Sequence, residues 1–583
     1  MIEFKLPEVG ENIKTGNVVK VLVKANDKVK KDQTLIELET EKATIEIPSP
    51  CDGVVKEVLV KEGDVIKIGQ TICRIEDTKD VSATKTTVRP TQPKETPSQK
   101  EAPKAAAVST TPPAQNIRVV VVGGGPGGYA AAFHANDLGL DVTLVDMEKN
   151  PGGVCLFRGC IPSKALLHVA KILSESREAK ELGIEFASPQ IHLDKVRAWK
   201  NKVVNQLTGG LGQLCKQRKM NFIQGQSTFV NSNSVKIRKA DGSDQILSFD
   251  YAVLATGSLP ITLPFAPKSP RVLDSTTALD ITDIPPRLLV VGGGYIGLEL
   301  GTVYYELGSK ISVVEMTPGL LPGCDRDLTN ILEKRIVRLF EAIKLNTKVV
   351  KMEETTQGIA VTFEEANGKT SQEVYDKVLV AVGRRSNSKN LGLENTKVQV
   401  NERGFVTVNA QRQTTDPKIY AIGDIAGEPM LAHKASHEGR VAVEAIAGQK
   451  VAFEPNAIPA VVFTDPEIAW CGLTETEAQK QNRTVEIVKF PWGASGRAIT
   501  LNRTDGLTKL IIEPQSQRVL GVGIVGVGAG ELIAEGVLAV EMGAVASDLK
   551  LSIHPHPTIS ETIMETAESF FGHATHIYKP SSK

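Results

Sequence analysis

Cys155 and Cys160 stand in the run Gly152-Gly-Val-Cys-Leu-Phe-Arg-Gly-Cys-Ile-Pro-Ser-Lys164, directly after a glycine-rich stretch. Two thiols this close can alternate between a disulfide and a dithiol, and so take up a pair of electrons and pass it on. Pro162 fits only the first turn of a helix or a kink, which predicts a helix opening at Cys160, with Cys155 in the preceding turn and near enough to bridge. The positive end of that helix and nearby Lys164 would hold a thiolate, the species that attacks disulfides. A structural disulfide or two buried thiols would share this spacing, but disulfides are rare in reducing compartments and mostly catalytic there. The remaining cysteines, Cys51, Cys73, Cys215, Cys324 and Cys471, are read as packing residues.

A candidate base lies near the C-terminus, in His554-Pro-His556-Pro-Thr558-Ile-Ser-Glu561. Prolines on both sides of His556 restrict the backbone, and such rigidity suits an imidazole that must be aimed at a thiol. Thr558 and Glu561 have capping-box spacing, so Glu561 is expected to cap a helix. His554 is the weaker candidate.

Electrons need somewhere to go, and two stretches supply it. An apolar strand, Val119 to Val122, runs into Gly123-Gly-Gly125-Pro-Gly-Gly128 and then an Ala-rich helical stretch, with a second strand ending at Asp146. The pattern repeats as Leu288 to Val291, then Gly292-Gly-Gly294-Tyr-Ile-Gly297, then Glu315. Each acid follows its first glycine by 23 residues, 123 to 146 and 292 to 315. Glycines let the backbone close on a pyrophosphate, the helix start offers N–H groups, and the acid accepts ribose hydroxyls. Two dinucleotide sites follow. The first adjoins the cysteines and suits a flavin; the second suits NAD, because Glu315 would hydrogen-bond a free ribose 2′-hydroxyl and repel a 2′-phosphate.

At 583 residues the chain must fold as several units, and its 68 Lys plus Arg balance 68 Asp plus Glu. No basic block suggests nucleic acid, no apolar run is long enough to span a bilayer, and no signal-peptide pattern opens the chain. The scattered cysteines suit a reducing cytoplasm. No metal site is assigned. In the first 77 residues Gly16-Asn-Val-Val-Lys-Val-Leu-Val-Lys-Ala-Asn-Asp27 recurs as Gly53-Val-Val-Lys-Glu-Val-Leu-Val-Lys-Glu-Gly-Asp64, a constant 37 residues on. Two similar halves of short antiparallel strands predict a small all-β sandwich or flattened barrel. Lys42, in Glu39-Thr-Glu-Lys42-Ala43, falls at the hairpin between the halves, well placed for covalent modification. From about Thr78 to Asn116, Pro, Ala, Thr, Ser and Gln dominate, the composition of a flexible linker. Such a linker spans on the order of 100 Å extended, or nearer 35 Å as a coil.

Gly152 to Leu167, with both glycine signatures, resembles the dihydrolipoamide dehydrogenases among the flavoprotein disulfide reductases, from about residue 117 to the end. The N-terminal repeat resembles the lipoyl domains of 2-oxo acid dehydrogenase complexes, which implies lipoate on Lys42. Biotinyl domains usually flank their lysine with Met, which is absent here. The resemblance implies FAD at Gly123, Gly125, Gly128 and Asp146, with close backbone approach at Thr256 and Gly257. It implies further that Asp424 holds the flavin ribityl chain, that the helix start around Ala435 faces the flavin, and that Lys164 and Glu299 pair beside it. Tyr295 would cover the flavin until NAD displaces it, with Gly292, Gly294, Gly297, Glu315 and Gly383 serving that second nucleotide. One departure is Asp146, where many relatives carry Glu. A Cys155–Cys160 redox disulfide, His556 as proton acceptor and Glu561 as its orienting carboxylate complete the implied set. So do an obligate homodimer and lipoyl-bearing acyltransferase (E2) and E1 partners.

The expected domains are a lipoyl domain (1–77), a linker (78–116) and two Rossmann-like α/β domains, for FAD (117–264) and NAD (265–385). A central domain completing the FAD site (386–458) and an α+β dimerisation domain (459–583) follow. Mercuric reductases would need a cysteine pair after Cys471, and glutathione reductases match the cysteine segment less well. A pure carrier module would not need Cys155, Cys160, His556 and Glu561 together.

Overall fold

Short apolar stretches broken by Gly, Asn and Asp can pair only as antiparallel strands, and the N-terminal unit is built that way. The computed structural model describes residues 2–6, 15–30, 33–39, 44–67, 69–77 and 117–578. Its contacts divide the chain into two units, Met1–Val108 and Ser109–Lys583. In the first, Thr34–Glu39, Thr15–Val21 and Val65–Lys67 lie side by side in one sheet, and their repeat-related counterparts Thr71–Asp77, Gly53–Val58 and Lys28–Val29 lie side by side in the other. Each half therefore lends its short strand to the other half's sheet. The turns repeat too: Lys24 N donates to Asp27 Oδ2 and Lys61 N to Asp64 Oδ2, both at 2.8 Å. Asn26 (φ 78°) and Gly63 (φ 90°) take the same left-handed position. Repeat-related Val18 and Val55, like Leu38 and Ile75, are buried between the sheets. The predicted sandwich is what forms. Thr34–Glu39 and Thr44–Pro48 pair antiparallel, while Lys42 and the linker 78–116 lie outside the described residues.

In the second unit, buried Val-rich strands between helices form parallel sheets, as such runs must when both faces are covered. Arg118–Val122 is flanked in parallel by Asp141–Asp146 and Tyr251–Leu254, and Ile419–Ala421 pairs parallel with the latter. Helix α1 (Pro126–Asp137) follows the first glycine run. The cysteine segment forms α2 (Gly153–Arg158) and α3 (Cys160–Glu178), and α4 (Leu193–Gln217) packs beside them. A second, all-parallel sheet of five strands centres on Arg287–Val291, which leads into α5 (Tyr295–Leu307). The helices α6 (Arg326–Leu339) and α7 (Ala432–Ile446) pack on the C-terminal sheet and on α1 respectively. The C-terminal region is a five-stranded antiparallel sheet with helices Ala529–Met542 and Glu561–Phe570 against it.

One buried ionic cage ties α6 to that last sheet. Lys509, 1% exposed, donates to Asp325 Oδ2 at 2.7 Å, Asp327 Oδ1 at 2.8 Å and Glu475 Oε1 at 2.9 Å. These three acids are the described cluster close enough to hold a cation, and the lysine ammonium fills it. Asp325 also accepts from the amides of Glu475 and Thr476, capping the helix that begins there. Removing one partner of a buried ion pair leaves uncompensated charge, so Lys509→Ala should cost about 3–5 kcal/mol. The check is the thermal midpoint of unfolding, and a variant that melts with the wild type would contradict the cage.

Candidate active site

The two glycine loops take the form that a pyrophosphate cradle requires. Gly123 (φ 103°) and Gly292 (φ 108°) turn in the left-handed region, and a Cβ there would lie 2.3 Å from the Ala255 carbonyl oxygen or 2.5 Å from that of Ala381. Gly128 and Gly297 pack helix on strand, with a Cβ at 1.8 and 2.4 Å from the carbonyl oxygen of the first glycine in each loop. The middle glycines face open space: nothing lies within 4 Å of a Cβ on Gly294, and only Gly153 Cα, at 3.9 Å, for Gly125. A ligand backbone fits where a side chain would otherwise stand. The acids brace these loops from below. Asp146 Oδ2 accepts from Gly124 N at 2.5 Å, and Glu315 Oε2 from Gly293 N at 2.7 Å. Their other oxygens accept from Glu148 N and Thr317 N, both at 2.8 Å. Loop support is thus a task that the sequence reading, which gave these acids only to ribose, had missed. The shorter Asp146 reaches its loop as Glu315 does.

A cavity of about 520 Å³ opens beyond the first loop. Its walls bring together Gly123, Gly125, Asp146, Cys155, Cys160 and Lys164 with Thr256, Gly257, Tyr295, Glu299, Asp424 and Ala435. The open position at Gly125, the room beside Gly257 (φ 71°, no atom within 4 Å of a Cβ) and the glycine-lined walls fit a bound FAD. Gly292, Gly294, Gly297 and Glu315 belong to the second loop. Gly383 (φ 121°) turns the chain after Lys377–Val380 and does not line the cavity. Ala435 N is committed to the Leu431 carbonyl at 3.1 Å, so this residue offers the cavity its methyl surface rather than an amide.

The cysteine geometry departs from expectation in one respect. Cys155 lies inside α2 rather than in a turn, and the chain breaks at Gly159, where a Cβ would sit 2.9 Å from the Val154 carbonyl oxygen, before α3 begins at Cys160. Gly152 N donates to Gly124 O at 2.7 Å, which seats the cysteine segment on the nucleotide loop. Cys155 and Cys160 stand next to each other as thiols, within hydrogen-bonding reach. Cys160 is accessible from the cavity yet crowded by its walls. The hydrogen bond from Cys155 draws Cys160 down to about 7, and Lys164 works in the same direction against burial and Glu299. Cys155 is pushed up by that same bond and by burial. Cys160 is therefore the more acidic of the two thiols. By contrast, burial pushes Cys324 and Cys471 up to about 12 and Cys73 to about 11.

Lys164 donates to Glu299 Oε2 at 2.7 Å and lies 4.4 Å from the centroid of the Phe463 ring. Phe463 N in turn donates to Glu299 Oε1 at 3.0 Å. The expected ion pair is thus held by a third segment that the sequence reading overlooked. Also overlooked was the grip on Asp424, whose Oδ2 accepts from Ser258 Oγ at 2.5 Å while Arg384 Nε donates to Ser258 Oγ at 2.7 Å. Thr256 Oγ1 donates to Asn387 O and Asn387 Nδ2 to Thr256 O, so two distant segments lock reciprocally. No local spacing signals such cross-chain pairs.

His556 Nδ1 lies 2.9 Å from Glu561 Oε1, and Glu561 Oε2 accepts from Thr558 N at 2.8 Å. Glu561 thus reaches His556, but the expected capping box does not form: the helix begins at Glu561 itself, with Ser560 at its N-cap and no side-chain cap, and Thr558 Oγ1 donates to Pro555 O. Burial raises the Glu561 carboxyl, yet the Thr558 amide and His556 outweigh it and hold the group below its usual value. With Nδ1–H donated to a carboxylate, Nε2 is left as the basic nitrogen. His554 is tied at both nitrogens, to Ser552 O and Glu535 Oε1, each at 2.8 Å, which leaves it no free base. His556, its side chain 74% exposed, does not line the cavity of its own chain.

Alkylation of Cys160 in the reduced protein should rise as pH passes about 7, where the thiolate forms. Cys155→Ala should move that rise to higher pH by removing the hydrogen bond, and an unmoved profile would show that the thiolate is held by something else.

Residues 117–439 match the family described as pyridine nucleotide-disulphide oxidoreductase, and 458–567 its dimerisation domain. Residues 2–75 match the family described as biotin-requiring enzyme. The dihydrolipoyl dehydrogenase of Vibrio cholerae is 48% identical over 80% of this chain and 98% of its own length, and that of Geobacillus stearothermophilus 44% over 79% and 97%. Among solved structures, LpdA from Mycobacterium tuberculosis superposes with a TM-score of 0.73 at 28% identity, covering 78% of this chain and 99% of that one. The HOCl-induced flavoprotein disulfide reductase RclA from Escherichia coli, as its Cu(II) complex, gives 0.70 at 26%, covering 78% and 99%. With these identities over nearly the whole length of its relatives, the chain belongs to the dihydrolipoyl dehydrogenase family of pyridine nucleotide-disulphide oxidoreductases.

Proposed function

We propose that this chain oxidises dihydrolipoyl groups to lipoyl groups with reduction of NAD to NADH, and that it bears its own lipoyl arm on Lys42. The observation that carries this is the Cys155–Cys160 pair, with its thiolate on the wall of the glycine-lined cavity. Gly123, Gly125, Gly257 and Asp424 would hold FAD there, and the loop at Gly292–Gly294 with Glu315 would hold NAD. Bound FAD supplies an acceptor for two electrons and a donor of hydride to NAD.

The chain's own residues perform the sulfur chemistry. His556 Nε2 takes the proton from one dihydrolipoyl thiol, and the resulting thiolate attacks Cys155 Sγ of the oxidised pair. That attack breaks the enzyme disulfide and releases Cys160 as a thiolate, which Lys164 helps to hold. The second substrate thiol then gives up its proton and attacks the neighbouring substrate sulfur, closing the lipoyl ring and breaking the bond to Cys155, which leaves as a thiolate and takes up that proton. Two electrons now rest in the enzyme dithiol. Glu561 keeps Nδ1 protonated and steadies the imidazolium.

Domain limits follow this division of labour: 1–77 for the arm, 78–116 the linker, 117–264 for FAD, 265–385 for NAD, 386–458 completing the FAD site and 459–583 for dimerisation. The strand Ile419–Ala421, which extends the first sheet, supports the fifth assignment. A homodimer in which His556 serves the partner's cavity is supported by the dimerisation-domain match and by the exposure of His556. Apolar Leu538, Met542, Leu551 and Ile553, 63%, 75%, 75% and 98% exposed in the same region, also call for cover. The partners would be E2 and E1 components of a 2-oxo acid dehydrogenase complex. A cytoplasmic setting fits the cysteine usage, and no described helix is long and apolar enough to cross a membrane.

Cys155→Ser should abolish dihydrolipoamide-dependent NADH formation while leaving a yellow, FAD-bearing protein, and normal turnover would refute the dithiol assignment. Co-expressing Cys155→Ser with His556→Gln tests the shared site. If His556 acts across the dimer, each hybrid dimer regains one complete site, and random assortment restores about a quarter of wild-type activity. If it acts within one chain, the mixture stays inactive. Intact-mass measurement should show a lipoyl increment that Lys42→Ala removes.

A further inference from the structure

Glu438 lies on α7 with 0% of its surface exposed, close to the cavity but not on its wall. Its Oε2 accepts from Gly423 N at 2.6 Å. Its Oε1 receives Arg412 Nη1 at 2.9 Å and Lys434 Nζ at 3.1 Å. Lys434 Nζ donates onward to Gly427 O at 3.1 Å, and the Arg412 guanidinium stacks over the Phe453 ring, 5.1 Å from its centroid. One carboxylate therefore gathers the turn 423–427, the loop at Arg412 and the first turns of α7. A charge so fully buried is costly to keep, and it persists only where its partners are fixed.

The residue after Gly423 is Asp424, whose side chain already has one oxygen committed to Ser258. Gly423 turns at φ 74°, and a Cβ there would sit 3.0 Å from the Ala435 methyl group, so the chain is pressed hard against α7 at this point. Where the Gly423 amide is pinned, Asp424 has little freedom left. We propose that Glu438 is a positioning residue of the cofactor cavity: by holding the Gly423 amide it sets the angle at which Asp424 meets the bound FAD. The assignment rests on the reading of this cavity as the FAD site.

Only a carboxylate can serve here, since all three of its partners are donors. An amide would turn its own N–H group toward either Gly423 or the two cations. Glu438→Gln keeps the shape and removes that complementarity. Glu438→Asp keeps the charge facing Arg412 and Lys434, which protects folding, but draws the carboxylate back from Gly423 by one methylene.

The test uses the full chain stripped of flavin and titrated with FAD, followed by flavin fluorescence, beside the thermal midpoint of the stripped protein. Both variants should bind FAD about tenfold more weakly than the wild type, the penalty of leaving one buried donor unmet. Wild-type affinity in a folded Glu438→Asp variant would overturn the proposal. So would a lowered midpoint with unchanged affinity, the mark of a merely structural charge. A wild-type chain that takes up no FAD would instead overturn the reading of the cavity, a separate result.

Discussion

A sulfur kept as an anion inside a protein needs a hydrogen-bond donor and a positive charge beside it, and Cys160 has the Cys155 thiol, with the Lys164 cation behind it. Burial and the Glu299 carboxylate oppose that arrangement, so the thiolate exists by a margin and not by default. Much of the surrounding structure maintains that margin. The break at Gly159 sets two helical turns end to end so that the sulfurs meet. Glu299 gives Lys164 a fixed place, and Phe463 fixes Glu299. Without the Cys155 hydrogen bond and the Lys164 charge, Cys160 would behave like Cys324 or Cys471, thiols that burial keeps protonated.

The ion pair also shows how the regions of the chain cooperate. Lys164 comes from the cysteine helix, Glu299 from the helix after the second glycine loop, and Phe463 from the edge of the C-terminal sheet. Asp424 is likewise reached by Ser258 and, through it, by Arg384 of the strand paired with it. Segments that carry little chemistry of their own thus decide where the reacting groups stand. The buried cage around Lys509 extends the principle, since it joins α6 to the sheet whose helices lead toward His556.

The glycine loops were legible because their demands are local. A left-handed turn, a helix packed on its own strand and an open middle position are conditions that only glycine meets, and they leave a fixed spacing in the chain. The N-terminal duplication was legible for a similar reason, since Asn26 and Gly63 must both turn left-handed where the repeat places them. The His556–Glu561 pair lies within one short segment and was found as well. Resemblance to known relatives, rather than spacing, supplied Glu299, its pairing with Lys164, and Asp424. Ser258, Arg384, Asn387, Phe463 and Glu438 were missed, because each is an ordinary residue whose task appears only when a distant segment arrives beside it.

By itself the sequence determined the two nucleotide folds, the repeated sandwich, the dithiol and its candidate base, because each is written in the periodicity and backbone limits of a short stretch. Tertiary structure alone added the Cys155 hydrogen bond and the opposing Glu299 charge that act on Cys160, since both come from groups brought beside it in space. It also decided that the acids after each second strand brace their own glycine loops, and that His556 stands exposed, away from its own chain's cavity. Charge and hydrogen bonding act through space, and the chain order does not record which groups will be neighbours.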